Sequence, residues 1–205
     1  MAQAQARRFG NDEVAVFQDS ENCPFSITKK MTVGDILANI LSNLRPANIQ
    51  RLCAPMLVYS GNKHIYRKAE HDSIKEQGFR FLEASLRRRP CARKYCRNIE
   101  QPGEVEPDLY ERSFNVVDSL LIEEMLGEAL LGNLPPNVLL ISTDQDFHLA
   151  TQSLHATKRY NIFVARKRNT DGSLPAAPSA YGTWEWARMQ KPGAPVQVVI
   201  RNKNI

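Results

Sequence analysis

No stretch of this chain approaches the run of about 18 apolar residues that a membrane-spanning helix requires. A helical membrane protein is therefore not expected, and no membrane partner is predicted. Residues 1–10 include Arg7 and Arg8 but no apolar core, so they read as a flexible tail and not as a secretory signal. Only four cysteines occur, Cys23, Cys53, Cys91 and Cys96, and they are widely spread. A disulfide framework is not indicated. Reduced thiols in an intracellular protein, cytoplasmic or nuclear, are the expectation. Cys91 and Cys96 have no second pair or nearby histidine to complete a zinc set. The four histidines, His64, His71, His148 and His155, show no spacing tied to catalysis. No internal repeat is present.

What is present begins with size and charge. The chain has 205 residues, 42% of them hydrophobic, which suits one α/β core. A single domain over residues 11–205 is expected. The formal net charge is +5 and the pI about 9.1, a balance that favours a polyanionic partner. Apolar β-type runs alternate with stretches of helical periodicity. Strands are expected at Glu13–Gln18, Met56–Tyr59, Phe79–Leu82, Val138–Ile141, Asn161–Ala165 and Val196–Ile200. Helices are expected at Val33–Leu44, capped by Thr32 and stopped by Pro46, then at Ser73–Gln77, Phe114–Leu131, Phe147–Thr157 and Tyr181–Met189. This order predicts a three-layer α/β/α sandwich around a mostly parallel sheet. The terminal strand would leave an edge through which a homodimer or a protein partner could pair.

Two of the strands end in carboxylates. Val14 to Gln18 runs into Asp19-Ser20-Glu21-Asn22, and Val138 to Ile141 runs into Ser142-Thr143-Asp144-Gln145-Asp146. In open α/β sheets ligands bind beyond the carboxyl ends of strands. An acid just past a strand is also an ordinary turn or capping residue, and at least one of Asp144 and Asp146 is expected to cap the next helix. Two such runs more than a hundred residues apart suggest one shared acidic site. Clustered carboxylates repel one another unless a cation holds them. Asp118 adds a further acid, from a third place in the chain, within an otherwise apolar helical stretch, Val116-Val117-Asp118-Ser119-Leu120-Leu121.

The segment Leu86 to Arg97 is strongly basic and reads as an exposed loop or hairpin. Arg87, Arg88, Arg89, Arg93, Lys94 and Arg97 suit phosphates, and Tyr95 suits stacking on an unpaired base. A solvated charge run is the plainer alternative. Arg166-Lys167-Arg168 forms a second, smaller basic cluster.

Asp19-x-Glu21-Asn22 after the first strand, Val117-Asp118 in a central helix, and Ser142-x-Asp144-x-Asp146-Phe147 after a later strand resemble the NYN domain, a branch of the PIN-like metal-dependent ribonucleases. The resemblance spans roughly Val14 to Ala165. It implies that Asp19, Asp118, Asp144 and Asp146 ligate Mg²⁺ or Mn²⁺ and act in catalysis, with Asn22 organising the site. It implies hydrolysis of RNA, single-stranded in the first instance. Three departures accompany it. Gln18 stands where the family often has a bulky aromatic, a further helical acid falls at Glu124 as Glu and not Asp, and the insertion at about residues 86–110 exceeds what a compact core needs. A non-catalytic RNA-binding or scaffold protein that retains the fold is the competing reading. A phosphatase of the haloacid dehalogenase type fits poorly, because Asp19-Ser20-Glu21 lacks its second aspartate.

Overall fold

The structure is a computed structural model that describes residues 10–60, 65–83, 87–91, 110–114, 117–172, 177 and 179–191. Strand β1, Glu13–Asp19, occupies the centre because nearly every residue in it is buried on both faces. Val14 and Val16 point into one apolar cluster, and Ala15 and Phe17 into the other. That two-sided burial is what a continuous apolar run achieves inside a parallel sheet.

Helix α1, Val33–Leu44, follows, and Thr32 and Asp35 form a reciprocal capping box at its start. A short 3₁₀ turn at Arg45–Ala47, containing Pro46, ends it. Strand β2, Arg51–Ser60, pairs parallel with β1. It starts five residues before the expected strand, and the register shifts between Val14 and Val16, opposite Pro55. Proline has no N–H for a ladder, so the pairing bulges there and the sequence signal breaks. Helix α2, Lys68–Glu76, is longer than expected because its one buried residue, Ile74, leaves little apolar periodicity to read. Strand β3 is Arg80–Glu83.

Strands β4, Arg87–Cys91, and β5, Tyr110–Phe114, then pair antiparallel as a separate two-stranded sheet. The described part of the basic segment, Arg87–Cys91, is thus a strand paired antiparallel, and Phe114 belongs to β5 and not to a helix. Helix α3, Val117–Leu130, starts three residues later than Phe114. The spacing of Phe114 to Val117 and Leu121 mimics one helical stripe, but pairing with β4 takes Phe114 into a strand. Arg93, Lys94, Tyr95 and Arg97 lie outside the described residues, as does Val196–Ile200.

Strand β6, Asn137–Ile141, is buried throughout. Helix α4, Phe147–Ala156, and strand β7, Asn161–Arg166, follow. Residues 181–189 are not one helix. Gly182–Glu185 form strand β8, whose buried and half-buried positions alternate, and only Trp186–Met189 make the short helix α5.

The main sheet has six strands in the order β3-β2-β1-β6-β7-β8, and every neighbouring pair is parallel. The protein is a three-layer α/β sandwich. The helices α1, α2 and α5 pack on the face of Val14 and Val16, and α3 and α4 on the face of Phe17. From β1 the chain adds strands in one direction, and from β6 in the other. Right-handed crossovers running in opposite directions put their helices on opposite faces. The order therefore reverses between β1 and β6, and a crevice opens beyond their carboxyl ends.

Candidate metal centre

Asp19 is the last residue of β1 and is fully buried. Its carboxylate is held from three directions. Ser142 Oγ donates to Asp19 Oδ2 at 2.8 Å, Asn22 Nδ2 donates to the same oxygen at 2.7 Å, and the Asn22 backbone N–H donates to Oδ1 at 3.2 Å. Both oxygens of the carboxylate thus accept donors from the two loops. Asn22 therefore orients Asp19 while its own backbone closes the turn.

Ser142 sits at the end of β6, and its Oγ also accepts from the Asp144 backbone N–H at 3.0 Å. One hydroxyl thus ties the two acidic loops together. Asp144 Oδ1 in turn accepts from the Asp146 backbone N–H at 2.9 Å. Asp146 stands at the N-cap of α4 but makes no side-chain capping bond. The expected capping role is therefore filled by neither acid in its usual form. Asp144 stabilises the turn before the helix, and the Asp146 carboxylate stays directed to the site. Nearby, Cys23 is buried with its Sγ 3.4 Å from Thr143 Oγ1. Burial pushes its thiol pKa up, so it serves as packing and not as a nucleophile.

Asp118 begins α3 and is half-buried. Asp118, Asp144 and Asp146 each bring a carboxylate oxygen to within 4.8 Å of the others. No other group of three or more metal-ligating side chains gathers in this way among the described residues. Burial, and then the charges of Asp19, Asp144, Asp146 and Glu21, push the Asp118 pKa up to about 7. Burial is the larger cause of that rise, and the neighbouring carboxylates add to it. Hard divalent cations take all-oxygen donor sets, and the three acids fit such an ion.

The family model of the NYN domain matches residues 13–183. The chain belongs to the NYN domain family. NYN domains are PIN-like nuclease domains. None of the curated proteins matches the chain. A protein of unknown function from Vibrio parahaemolyticus has a crystal structure similar over 84% of this chain and 88% of that one, with TM-score 0.46 and 12% identity.

The rest of the NYN domain sorts its other charges. Glu124 turns away from the acids and pairs with Arg80 at 3.0 Å, so it does not join the group. Gln18 is fully buried and its Nε2 donates to the Cys23 carbonyl at 2.8 Å, bracing the loop that carries Asn22. The basic cluster after β7 is divided. Arg168 pairs with Glu185 at 2.7 Å, while Arg166 is 2% exposed and packed inside. The sequence signal for Ser142 lay in its place within the motif, yet its role as a bridge required the distance between β1 and β6. We expect Ser142→Ala to cost about 1–3 kcal/mol of stability, because Asp19 and the Asp144 N–H each lose a partner. Chemical denaturation of the variant measures this directly, and an unchanged midpoint would mean that water replaces the hydroxyl.

Proposed function

We propose that this NYN domain is a Mg²⁺- or Mn²⁺-dependent endoribonuclease that hydrolyses phosphodiester bonds, acting on single-stranded RNA. The observation that carries the reading is the convergence of Asp118, Asp144 and Asp146 at the sheet's reversal point. In this proposal those three residues hold the cation and Asp19 completes the acidic wall behind them. A bound divalent cation would activate a water and offset charge growing on the scissile phosphate. Asn22 and Ser142 keep the Asp19 carboxylate fixed, so the wall keeps its shape as charge changes in front of it. An ionised aspartate of the group orients the attacking water or takes its proton.

RNA is the partner the charge pattern favours. Arg87, Arg88 and Arg89 lie in β4, and Arg89 is in register with Arg112 of β5. Arg93, Lys94, Tyr95 and Arg97 are proposed as further RNA contacts on their chemistry alone. Replacing Arg87, Arg88 and Arg89 together by Ala should weaken RNA binding and reduce the salt slope by about 2, three single-strand phosphate contacts being lost. A slope equal to the wild type's would remove β4 from the RNA path.

The deciding experiment incubates a single-stranded RNA with the protein in Mn²⁺, in Mg²⁺ and in excess chelator. Internal fragments that appear only with metal support the enzyme. RNA that binds but stays intact in every metal overturns it and favours the RNA-binding or scaffold reading.

A further inference from the structure

The loop that follows the Asp19–Asn22 turn is held by side chains, and two of them come from beyond the stretch matched to the NYN family. Cys23, Pro24, Phe25 and Ser26 belong to no helix or strand, yet Cys23 and Phe25 are buried. Buried backbone groups need partners, and each residue of this loop finds one in a different side chain. Gln18 Nε2 donates to the Cys23 carbonyl at 2.8 Å, and Trp186 Nε1 donates to the Pro24 carbonyl at 2.9 Å. The Phe25 N–H donates to the Tyr66 hydroxyl at 2.9 Å, and the Ser26 N–H donates to Gln190 Oε1 at 2.6 Å. The rings of Phe25 and Trp186 also pack together, with centroids 5.9 Å apart.

At its other end the loop closes on the acids. The Cys23 N–H donates to the Asp19 carbonyl at 2.9 Å. Asn22, just before it, makes the two hydrogen bonds that orient the Asp19 carboxylate. A shift at Pro24 or Ser26 therefore reaches Asn22 through a short chain with both ends fixed.

The family match ends at residue 183, and Trp186 and Gln190 follow it. Helix α5 has only four residues, too few to hold its own shape, and α1 fastens it. Asn43 Nδ2 donates to the Met189 carbonyl and Asn39 Nδ2 to the Gln190 carbonyl, each at 3.0 Å. Asn39 and Asn43 stand one turn apart on α1, so they meet consecutive carbonyls at the end of α5. Trp186, Met189 and Gln190 are all buried. Both oxygens of Gln190 are thus engaged, one by α1 and one by the loop.

We propose that Trp186 and Gln190 are positioning residues for the acidic site, which latch the loop after β1 to α5 and through Asn22 fix the Asp19 carboxylate. The site then depends on a segment outside the matched residues. That the fixed acid serves metal-dependent cleavage rests on the function proposed above; the mechanical link from α5 to Asn22 does not.

The test compares wild type with Gln190→Met, which keeps volume and loses the acceptor, and Trp186→Phe, which keeps an aromatic ring and loses the N–H. Backbone amide exchange is followed residue by residue in the metal-free protein. In both variants the Asn22 and Cys23 amides should exchange about tenfold faster than in wild type, the scale one net hydrogen bond sets on a local opening. Amides of β6 and β7 should exchange as before. Cleavage of a single-stranded RNA in Mn²⁺ should lose up to about a hundredfold in kcat, while RNA affinity stays within about twofold. In an Asn22→Ala background, Gln190→Met should cost little further in kcat.

Faster exchange confined to Ser26 and α5, with Asn22 and Cys23 unchanged, would make these contacts local packing and overturn the proposal. So would an equal rise across the whole sheet, or independent kcat losses from Gln190→Met and Asn22→Ala. If one variant does not fold, the other decides. If neither folds, α5 supports the whole domain and not one turn, and the proposal falls. If wild type cuts no RNA in any metal, the nuclease reading fails by itself, and exchange at Asn22 and Cys23 still accepts or rejects the latch.

Discussion

Asp144→Asn should abolish metal-dependent RNA cleavage while leaving the fold intact. The expected loss in kcat/KM is about a thousandfold, or about 4 kcal/mol of barrier. The choice of asparagine follows from the hydrogen bonds. Asp144 Oδ1 accepts from the Asp146 N–H, and an amide oxygen in the same place accepts equally well. The Asp144 backbone N–H still reaches Ser142 Oγ, so the tie to Asp19 survives. What disappears is one negative charge among three carboxylates that share a 4.8 Å space. Stability should therefore change by less than about 1 kcal/mol, and could rise as repulsion falls. RNA affinity should stay within about threefold, since phosphate contacts and not the acids govern binding. Comparison of the purified variant with wild type on one RNA, at several protein concentrations, checks both halves. Equal cleavage by the two proteins would show that the activity belongs to a contaminant or to another site.

That substitution separates the site from its support, which is also the division between what the sequence reveals and what it conceals. The acids were legible because an apolar run that stops at a charged residue marks the exit of a buried strand. Val14 to Asp19 and Val138 to Asp144 both have this form. Their convergence was legible only as an inference from α/β topology, and the reversal of strand order between β1 and β6 supplies its physical reason. Long-range partners were not legible. Nothing in a linear pattern says that the Ser142 hydroxyl reaches a carboxylate 123 positions away. Nor does it say that Glu124 finds Arg80. Arg166 misled for a related reason. Three consecutive basic residues suggest an exposed patch, but a strand turns alternate side chains to opposite faces, and the last residue of β7 turns inward.

The elements that escaped a sequence reading share one property, which is that pairing and not periodicity defines them. β5 ends in Phe114 at a spacing that also suits the following helix, and only its register with β4 decides the matter. β8 is four residues long, too short for alternation to stand out beside two tryptophans. α2 buries one side chain, so it holds its place through Ile74 and its caps more than through an apolar stripe. By contrast α1 combined a capping box, five buried positions at helical spacing and a proline stop, and its bounds are those expected.

Asp118→Asn should make the metal-free protein more stable above pH 7 and at the same time remove most of its stabilisation by metal. The folded-state pKa of Asp118 is about 7, against 3.8 for the ordinary carboxyl. Between those values the folded protein holds a proton that the unfolded chain has released. Stability therefore falls as pH rises through this window. Its contribution is fully present below about pH 4 and is lost as pH passes 7. At pH 8 the wild type carries the whole penalty of an ionised, half-buried acid facing Asp19, Asp144 and Asp146. Asparagine carries none. Solvent screens a half-buried group, so the gain is about 1–2 kcal/mol, or some 2–8 °C in Tm. Below pH 4 the two proteins should melt together. Mn²⁺ reverses the order at pH 8, because the cation converts the same repulsion into attraction and the variant has lost a ligand. Thermal melts at pH 4, 6 and 8, with chelator and then with Mn²⁺, measure both effects. An Asp118→Asn variant less stable than wild type at pH 8 without metal would mean that the Asp118 carboxylate is held by a hydrogen bond and not strained by its neighbours. A variant that keeps the full Mn²⁺ response would remove Asp118 from the metal centre.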